Sequence, residues 1–289
     1  MRSKPAVKGL KPTLAPGLYL VATPIGNLLD LSLRAVETLK GVDVIACEDT
    51  RVTSKILTRH SIKTKMNAYH EHNASRIRPR LLRTLENGGS IALVSDAGTP
   101  TISDPGYKLV KECIECGVDV TTTPGANAAI TGLVLSGLPT NRFLFAGFLN
   151  SKALPRRQEL KELAGVPTTL IFYESAKRLT ATLADMVKEL GDRPAAVARE
   201  LTKRHEEIQR DTLSLLSTHY LNAGAPKGEI VIIVGPPLKK EPPSSNELDD
   251  LIVNQLQTLS VRDTAVKISL ETGLPKRQVY KQTLKLFKV

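Results

Sequence analysis

Short strand-like runs at residues 18–22, 42–47, 65–69, 91–94 and 118–123, mostly apolar but for 65–69 and for the threonines and Asp119 of the last, alternate with longer stretches whose apolar positions recur at helical spacing, at 32–39, 53–59, 75–85 and 107–116. Runs this short bounded by turn residues suit buried strands, and the intervening periodicity suits helices packed on them. Asn87-Gly88-Gly89 closes the third helix and delivers the chain into the run at 91–94. Strands that alternate with helices predict a mainly parallel sheet.

After Pro124 the pattern changes. A helix of small residues spans 126–136 and stops at Gly137-Leu138-Pro139; strand-like runs follow at 143–149, 168–173, 195–201 and 229–234, with helices at 154–163 and 176–190, the latter closed by Gly191. This predicts a second α/β domain with antiparallel pairings. Pro236-Pro237 and residues 239–245 are too rich in Pro and charge to pack. Beyond them, helices are expected at 247–259, 261–272 and 275–287, with Gly273-Leu274 as a turn and Pro275 in a first turn. The last helix carries Lys276, Arg277, Lys281, Lys285 and Lys288 without an acid. It reads equally as the second helix of a helix-turn-helix and as the solvated face of a small bundle. The expected organisation is a basic arm (1–16), an α/β domain (17–125), a second α/β domain (126–238), a linker (239–245) and a three-helix basic extension (246–289).

Three apolar runs end alike. Residues 18–22 lead into Thr23-Pro24-Ile25-Gly26-Asn27, 91–94 into the loop 95–106 (SDAGTPTISDPG), and 118–123 into Pro124-Gly125-Ala126-Asn127. Ligands of open α/β sheets bind beyond the carboxyl ends of strands, so these loops mark the expected site. A domain boundary near Gly125 puts the third loop at an interdomain cleft. No G-x-G-x-x-G or G-x-x-x-x-G-K-[ST] follows a strand, which counts against nucleotide hydrolysis and ordinary dinucleotide redox chemistry.

Composition adds a partner class. The 289 residues carry a formal net charge of +11, which favours a polyanion such as nucleic acid. Arg76, Arg78, Arg80 and Arg83 form either a solvated helix face or an RNA groove; at 4% aromatic content, stacking is not expected to be the main device. No run approaches the roughly 18–20 apolar residues that a membrane-spanning helix needs. The first 16 residues hold Arg2, Lys4, Lys8 and Lys11 interrupted by prolines, with no apolar core of a secretory signal. Cys47, Cys113 and Cys116 give no disulfide framework and suit a reducing, cytoplasmic setting; all three are expected to be buried small side chains. His70-Glu71-His72 lacks a third ligand, so no metal site is expected.

Thr23 to Asn27, Cys47-Glu48-Asp49-Thr50-Arg51, the 95–106 loop, Pro124-Gly125-Ala126, Phe172-Tyr173-Glu174-Ser175, Arg199-Glu200-Leu201-Thr202-Lys203 and Lys227-Gly228-Glu229 occur in this order. Together they resemble the tetrapyrrole-methylase superfamily of S-adenosylmethionine enzymes, and within it the branch that methylates small-subunit ribosomal RNA. The resemblance covers residues 18–234. It implies two α/β domains with S-adenosylmethionine in the cleft between them, and methyl transfer to the ribose 2′-oxygen of a cytidine in the decoding region of 16S rRNA, as free RNA or in the assembled 30S subunit. A homodimer is implied as well. The implied cofactor residues are Pro24, Asp96, Ala97, Gly98, Thr101, Ile102, Ser103, Gly125 and Ala126, with Leu201 and Thr202 closing from the second domain. Asp96 and Asp104 read as loop organisers and cofactor contacts.

In-line methyl transfer to a ribose hydroxyl needs a held nucleophile and is helped by a nearby proton acceptor. Glu48, Asp49, Glu174 and Glu200 fall near strand ends as candidate bases, and each could equally be a salt-bridged structural carboxylate. Arg51, Arg76, Arg80, Lys177, Arg178, Lys203, Lys276, Arg277 and Lys281 are candidate contacts to RNA phosphates. The competing readings are methylation of a tetrapyrrole or other small substrate, and a non-catalytic RNA- or ribosome-binding protein.

Overall fold

The computed structural model describes residues 14–238 and 243–287, and the chain divides into two compact units with the break after Pro237. Most of the expected amino-terminal arm, residues 239–242 of the expected linker and Lys288 of the last helix lie outside the described residues.

The first unit opens with the alternation that the sequence predicts. Strands β1 (Gly17–Val21), β2 (Val44–Cys47), β3 (Lys65–Ala68), β4 (Ser90–Val94) and β5 (Val120–Thr123) are joined by helices α1 (Leu33–Gly41), α2 (Thr50–Arg59), α3 (Ala74–Glu86) and α4 (Tyr107–Glu115). All pairings are parallel, in the order β3-β2-β4-β1-β5. Every residue of β4 is buried, as befits a strand covered on both faces. Val21, Ile45, Ala92 and Val94 face α1 and α2, while Leu18, Ala46, Ile91 and Leu93 face α3 and α4, so successive side chains supply two separate core layers. Helix starts are set locally: the Ser32 hydroxyl accepts the Ala35 N–H, and the Asp49 carboxylate accepts the Arg51 N–H.

Helix α5 (Ala128–Ser136) leads into a second sheet of β6 (Phe143–Phe148), β7 (Thr169–Ser175), β8 (Pro194–Arg199), β9 (Glu207–Thr212) and β10 (Glu229–Val234), with α6 (Ala153–Leu163), α7 (Leu179–Leu190) and α8 (Leu213–Ala223) between them. The order is β6-β7-β10-β8-β9; only β6 and β7 run parallel. Leu170, Phe172, Val197, Ile230 and Ile232 pack under α6, α7 and α8, and Ile171, Ala196, Ala198, Val231 and Ile233 pack against α5. Ile25, from the loop after β1, joins that second layer and couples the two sheets.

Several expectations are corrected. The helix expected from residue 126 starts at Ala128, because the Asn127 side chain accepts the Ile130 N–H and leaves Ala126 in the loop. The helix expected from 176 starts at Leu179, after a turn in which Arg178 N–H donates to the Ser175 carbonyl. The strand expected to reach Leu201 stops at Arg199, since Glu200 and Thr202 adopt φ of +51° and +64°. Strand β9 and helix α8 are absent from the sequence reading altogether. Cys47 and Cys113 are buried, but Cys116 is exposed at the end of α4.

Two charged groups hold the outer helices of the second sheet. Arg156 and Arg157 on α6 both bond the Asp185 carboxylate on α7, at 2.7 Å and 2.6 Å, with Arg156 and Asp185 buried. Arg193 donates to the carbonyls of Leu190 and Ala164, which end α7 and α6, so a buried cation meets two helix C-termini.

The second unit packs α9 (Ser245–Leu256), α10 (Val261–Thr272) and α11 (Lys276–Phe287) around Leu248, Ile252, Ala265, Ile268 and Val279. A capping box of Ser244 and Glu247 starts α9, and Gly273, at φ +72°, turns the chain from α10 towards α11.

Candidate functional site

β4, β1 and β5 are neighbours in the first sheet, so the three loops singled out by sequence leave the sheet side by side. They are laced together. Thr23 and Gly98 exchange both backbone hydrogen bonds, at 2.8 Å and 3.0 Å; the Thr23 hydroxyl donates to the Ser95 carbonyl, and the Thr99 hydroxyl to the Ala126 carbonyl. Within the loop after β4, Thr101 and Ser103 hold φ of +75° and +62°, a conformation that costs energy in non-glycine residues and clusters at ligand sites.

A cavity of about 380 Å³ opens between these loops and the second sheet. Ile25, Ala97, Gly98, Ile102, Ser103 and Asp104 form one wall, and Phe148, Tyr173, Glu174, Ser175, Leu201, Gly228 and Glu229 the other. Tyr173 is fixed by accepting the Ala129 N–H and by edge contacts with Phe145 and Phe148. Of the expected cofactor residues, Ala97, Gly98, Ile102, Ser103 and Leu201 line the cavity. Pro24, Asp96, Thr101, Gly125, Ala126 and Thr202 do not line it. Asp96 accepts the Asp49 N–H at 3.0 Å, so it organises the loop. The Thr202 hydroxyl accepts the Asn27 N–H and ties the turn of the second domain to the first loop.

That tie needs Gly26. A Cβ there would lie 2.9 Å from the Thr202 hydroxyl and 3.1 Å from the Leu201 carbonyl oxygen and would collide with the Lys203 side chain. Gly26→Ala is expected to cost about 1–3 kcal/mol through overpacking. It should also weaken cofactor binding by displacing Leu201; calorimetric titration and thermal unfolding of the variant check both.

The four candidate bases differ sharply. Asp49 caps α2 and is held by Arg51 at 2.6 Å, which keeps its carboxyl down at about 2. Glu174 is buried and takes hydrogen bonds from the Ser175 N–H and the Thr182 hydroxyl, with Arg178 at 3.2 Å. Glu200 is bonded by Lys203 at 2.8 Å and by the Glu229 N–H, and the Lys203 bond leads in lowering its pKa. Glu48 is half-buried and accepts a backbone bond from Asp96; burial, reinforced by the Asp96 charge, raises its pKa. Asp104, in the cavity wall, has its carboxyl pushed up to about 6, chiefly by burial. Glu48 and Asp104 form no ion pair among the described residues.

The candidate phosphate contacts divide in the same way. Arg51, Arg76, Arg80 and Lys177 are exposed, as are Lys276, Arg277 and Lys281 of the second unit. Arg178 turns inward to Glu174 and the Leu149 carbonyl, and Lys203 bridges Glu200 and Glu229. Arg78 leaves the expected arginine stretch to pair with Glu112 on α4. His70 and His72 lie in a turn, and no cluster of three metal-ligating side chains occurs among the described residues. Likewise, no described helix is long and apolar enough to cross a membrane. The sequence reading missed Phe148, Tyr173, Gly228 and Glu229 as wall residues, although three of them fall in motifs it quoted.

Residues 17–216 match the family model described as Tetrapyrrole (Corrin/Porphyrin) Methylases. The chain is 48% identical over 275 residues to "Ribosomal RNA small subunit methyltransferase I" of Mesorhizobium japonicum, covering 94% of this chain and 93% of that protein. It is 46% identical to the protein of the same name from Synechocystis, covering 93% and 98%. Among solved structures it is similar in fold to uroporphyrin-III C-methyl transferase from Thermus thermophilus complexed with S-adenyl homocysteine, with a TM-score of 0.54 at 20% identity over 76% of this chain and 97% of that one.

Proposed function

The chain belongs to the tetrapyrrole methylase family, and from that membership we propose that it is an S-adenosylmethionine-dependent methyltransferase of small-subunit ribosomal RNA, acting on the ribose 2′-oxygen of a cytidine in the decoding region. One observation carries the choice of RNA over a tetrapyrrole. The relatives named for ribosomal RNA match along 94% and 93% of the chain, whereas the uroporphyrin enzyme covers 76%. The net charge of +11 and the exposed cations of α3 and α11 agree with that choice.

The cavity fits the cofactor chemically. Ile25, Ile102, Phe148 and Leu201 offer apolar surface, the strained 95–106 loop brings backbone close, and Asp104 presents a carboxylate that lacks a cation. When bound, S-adenosylmethionine supplies an electrophilic methyl group next to a positive sulfur. Asp104 balances positive charge in the cavity, and Leu201, held by the Thr202–Asn27 bond, excludes water from it. Asp49, Glu174 and Glu200 are engaged in structural hydrogen bonds, so Glu48 is the carboxylate assigned to accept the ribose proton. Arg76, Arg80 and Lys177 are left to hold phosphates, whereas Arg51 is already engaged by Asp49. Exposed Leu29, Leu33, Ile130 and Val134 offer apolar surface for the implied homodimer.

The test supplies methyl-labelled S-adenosylmethionine with isolated small subunits, free 16S rRNA or a tetrapyrrole precursor. Label is expected in ribosomal RNA, at a nucleotide whose 3′ linkage resists alkaline cleavage because its 2′-oxygen is blocked. Label on a base, or in the tetrapyrrole alone, defeats this reading; no label and no cofactor binding would favour a non-catalytic binding protein.

A further inference from the structure

One groove of the second unit is lined by Arg262 at the start of α10 and by Lys276, Arg277 and Tyr280 at the start of α11. Each of these side chains is exposed, and Tyr280 is 40% accessible. None of the three cations pairs with an acid among the described residues: Asp263 bonds the Ser260 hydroxyl, Glu247 belongs to the cap of α9, and Asp249 accepts from Gln282.

Helix stability does not explain this arrangement. Cations in the first turn of a helix oppose its macrodipole, and Arg277, Lys281 and Lys285 stand at i, i+4 and i+8, where like charges repel. An anionic ligand removes both penalties. The aromatic ring narrows the choice of anion, because a half-exposed Tyr among cations suits a base stacked between phosphates. A duplex suits it less well: the major groove of A-form RNA is too deep and narrow for side chains to read.

Resting on the RNA reading of the whole protein, we propose that this groove binds a short single-stranded segment of the substrate RNA, with one base stacked on Tyr280 and flanking phosphates held by Arg262, Lys276 and Arg277. The stripe of Lys281 and Lys285 continues the track of the phosphate backbone along α11.

The experiment uses the full chain and a single-stranded oligoribonucleotide carrying 2-aminopurine, with the matching RNA duplex as competitor. Wild-type protein should quench the probe and prefer the single strand. Tyr280→Leu should weaken single-strand binding by roughly 5- to 150-fold and abolish quenching, Tyr280→Phe should retain both, and Arg277→Gln should flatten the salt dependence of log K by about 0.7. All three variants should bind S-adenosylmethionine as the wild type does. Wild-type affinity and quenching in Tyr280→Leu, or a preference for duplex, would overturn the proposal even if the protein methylates ribosomal RNA. Failure of the wild type to label any RNA would instead defeat the function on which it rests.

Discussion

Asp185→Asn should destabilise the first unit by about 3–5 kcal/mol, the usual result of removing one partner of a buried ion pair. Asp185 and Arg156 are 4% and 5% exposed, and the carboxylate also holds Arg157. Neutralising it leaves the Arg156 guanidinium buried between α6 and α7 with no counter-charge, facing only the neutral oxygens of the new amide and of the Ser151 carbonyl. The pH dependence has a fixed sign. Burial alone would raise the carboxyl, but hydrogen bonds from Arg157 and Arg156 outweigh it and the net pKa is lowered. The folded form therefore binds its proton more weakly than the unfolded chain does. The stabilisation is complete well above the unfolded pKa of about 3.9, and it is lost as pH falls through the lower folded value. Urea unfolding of wild type and variant at pH 7 and pH 3 reads both effects, and the gap between the two proteins should narrow at the lower pH. A loss under about 1 kcal/mol at pH 7 would mean that the pair contributes no more than a surface bridge. Arg156→Met combined with Asp185→Leu should recover most of the loss, because an apolar pair of similar volume escapes the desolvation penalty.

The first sheet was legible in the sequence because β1, β2 and β4 are near-continuous apolar runs, and because Pro24, Gly26, Gly98, Gly106 and Gly125 punctuate strand ends; the three loops meet because β4, β1 and β5 are neighbours. Strand β9 was not, since Glu207–Thr212 is a mostly polar edge strand whose place is set by pairing with β8. Helix α8 carries Leu213, Leu216 and Tyr220 at helical spacing, so its signal was present and went unread. The far wall of the cavity depends on the register that sets Glu229 opposite Ser175 and Ile230 opposite Arg199, which brings Gly228 against Glu200. No local pattern encodes that meeting. Residue type alone left four carboxylates equivalent as bases; the structure separates them by which side chains bond them, and Arg178 and Lys203 turn out to be part of that bonding.

Asp104→Asn and Glu48→Gln should fail in opposite ways. Asp104 titrates near 6 because it is buried in the cavity wall, with the charges of Glu48 and Asp96 adding to the effect and a hydrogen bond from Ser95 opposing it. A cation bound beside it must lower that value, so S-adenosylmethionine should bind with release of a proton and lose affinity as pH falls below about 6, by up to tenfold per unit. Removing the charge should weaken cofactor binding at pH 7.5 by about 30-fold or more, the effect of truncating one member of a buried charge pair. It should not weaken folding. A carboxyl whose folded pKa is raised above its unfolded value makes the unliganded protein less stable as pH rises from about 4 to 6, so Asn at this position is neutral or stabilising above that range. Glu48→Gln should leave cofactor affinity nearly intact and lower the single-turnover rate by about 10²- to 10⁴-fold, the usual contribution of a positioned base. The wild-type rate should fall on the acid side as Glu48, raised by burial, gains its proton, and the variant should lose that limb. Calorimetry of cofactor binding across pH 5–8, beside single-turnover methylation of small subunits, separates the two roles. Wild-type affinity in Asp104→Asn, or an unchanged rate and pH profile in Glu48→Gln, would remove that residue from the site.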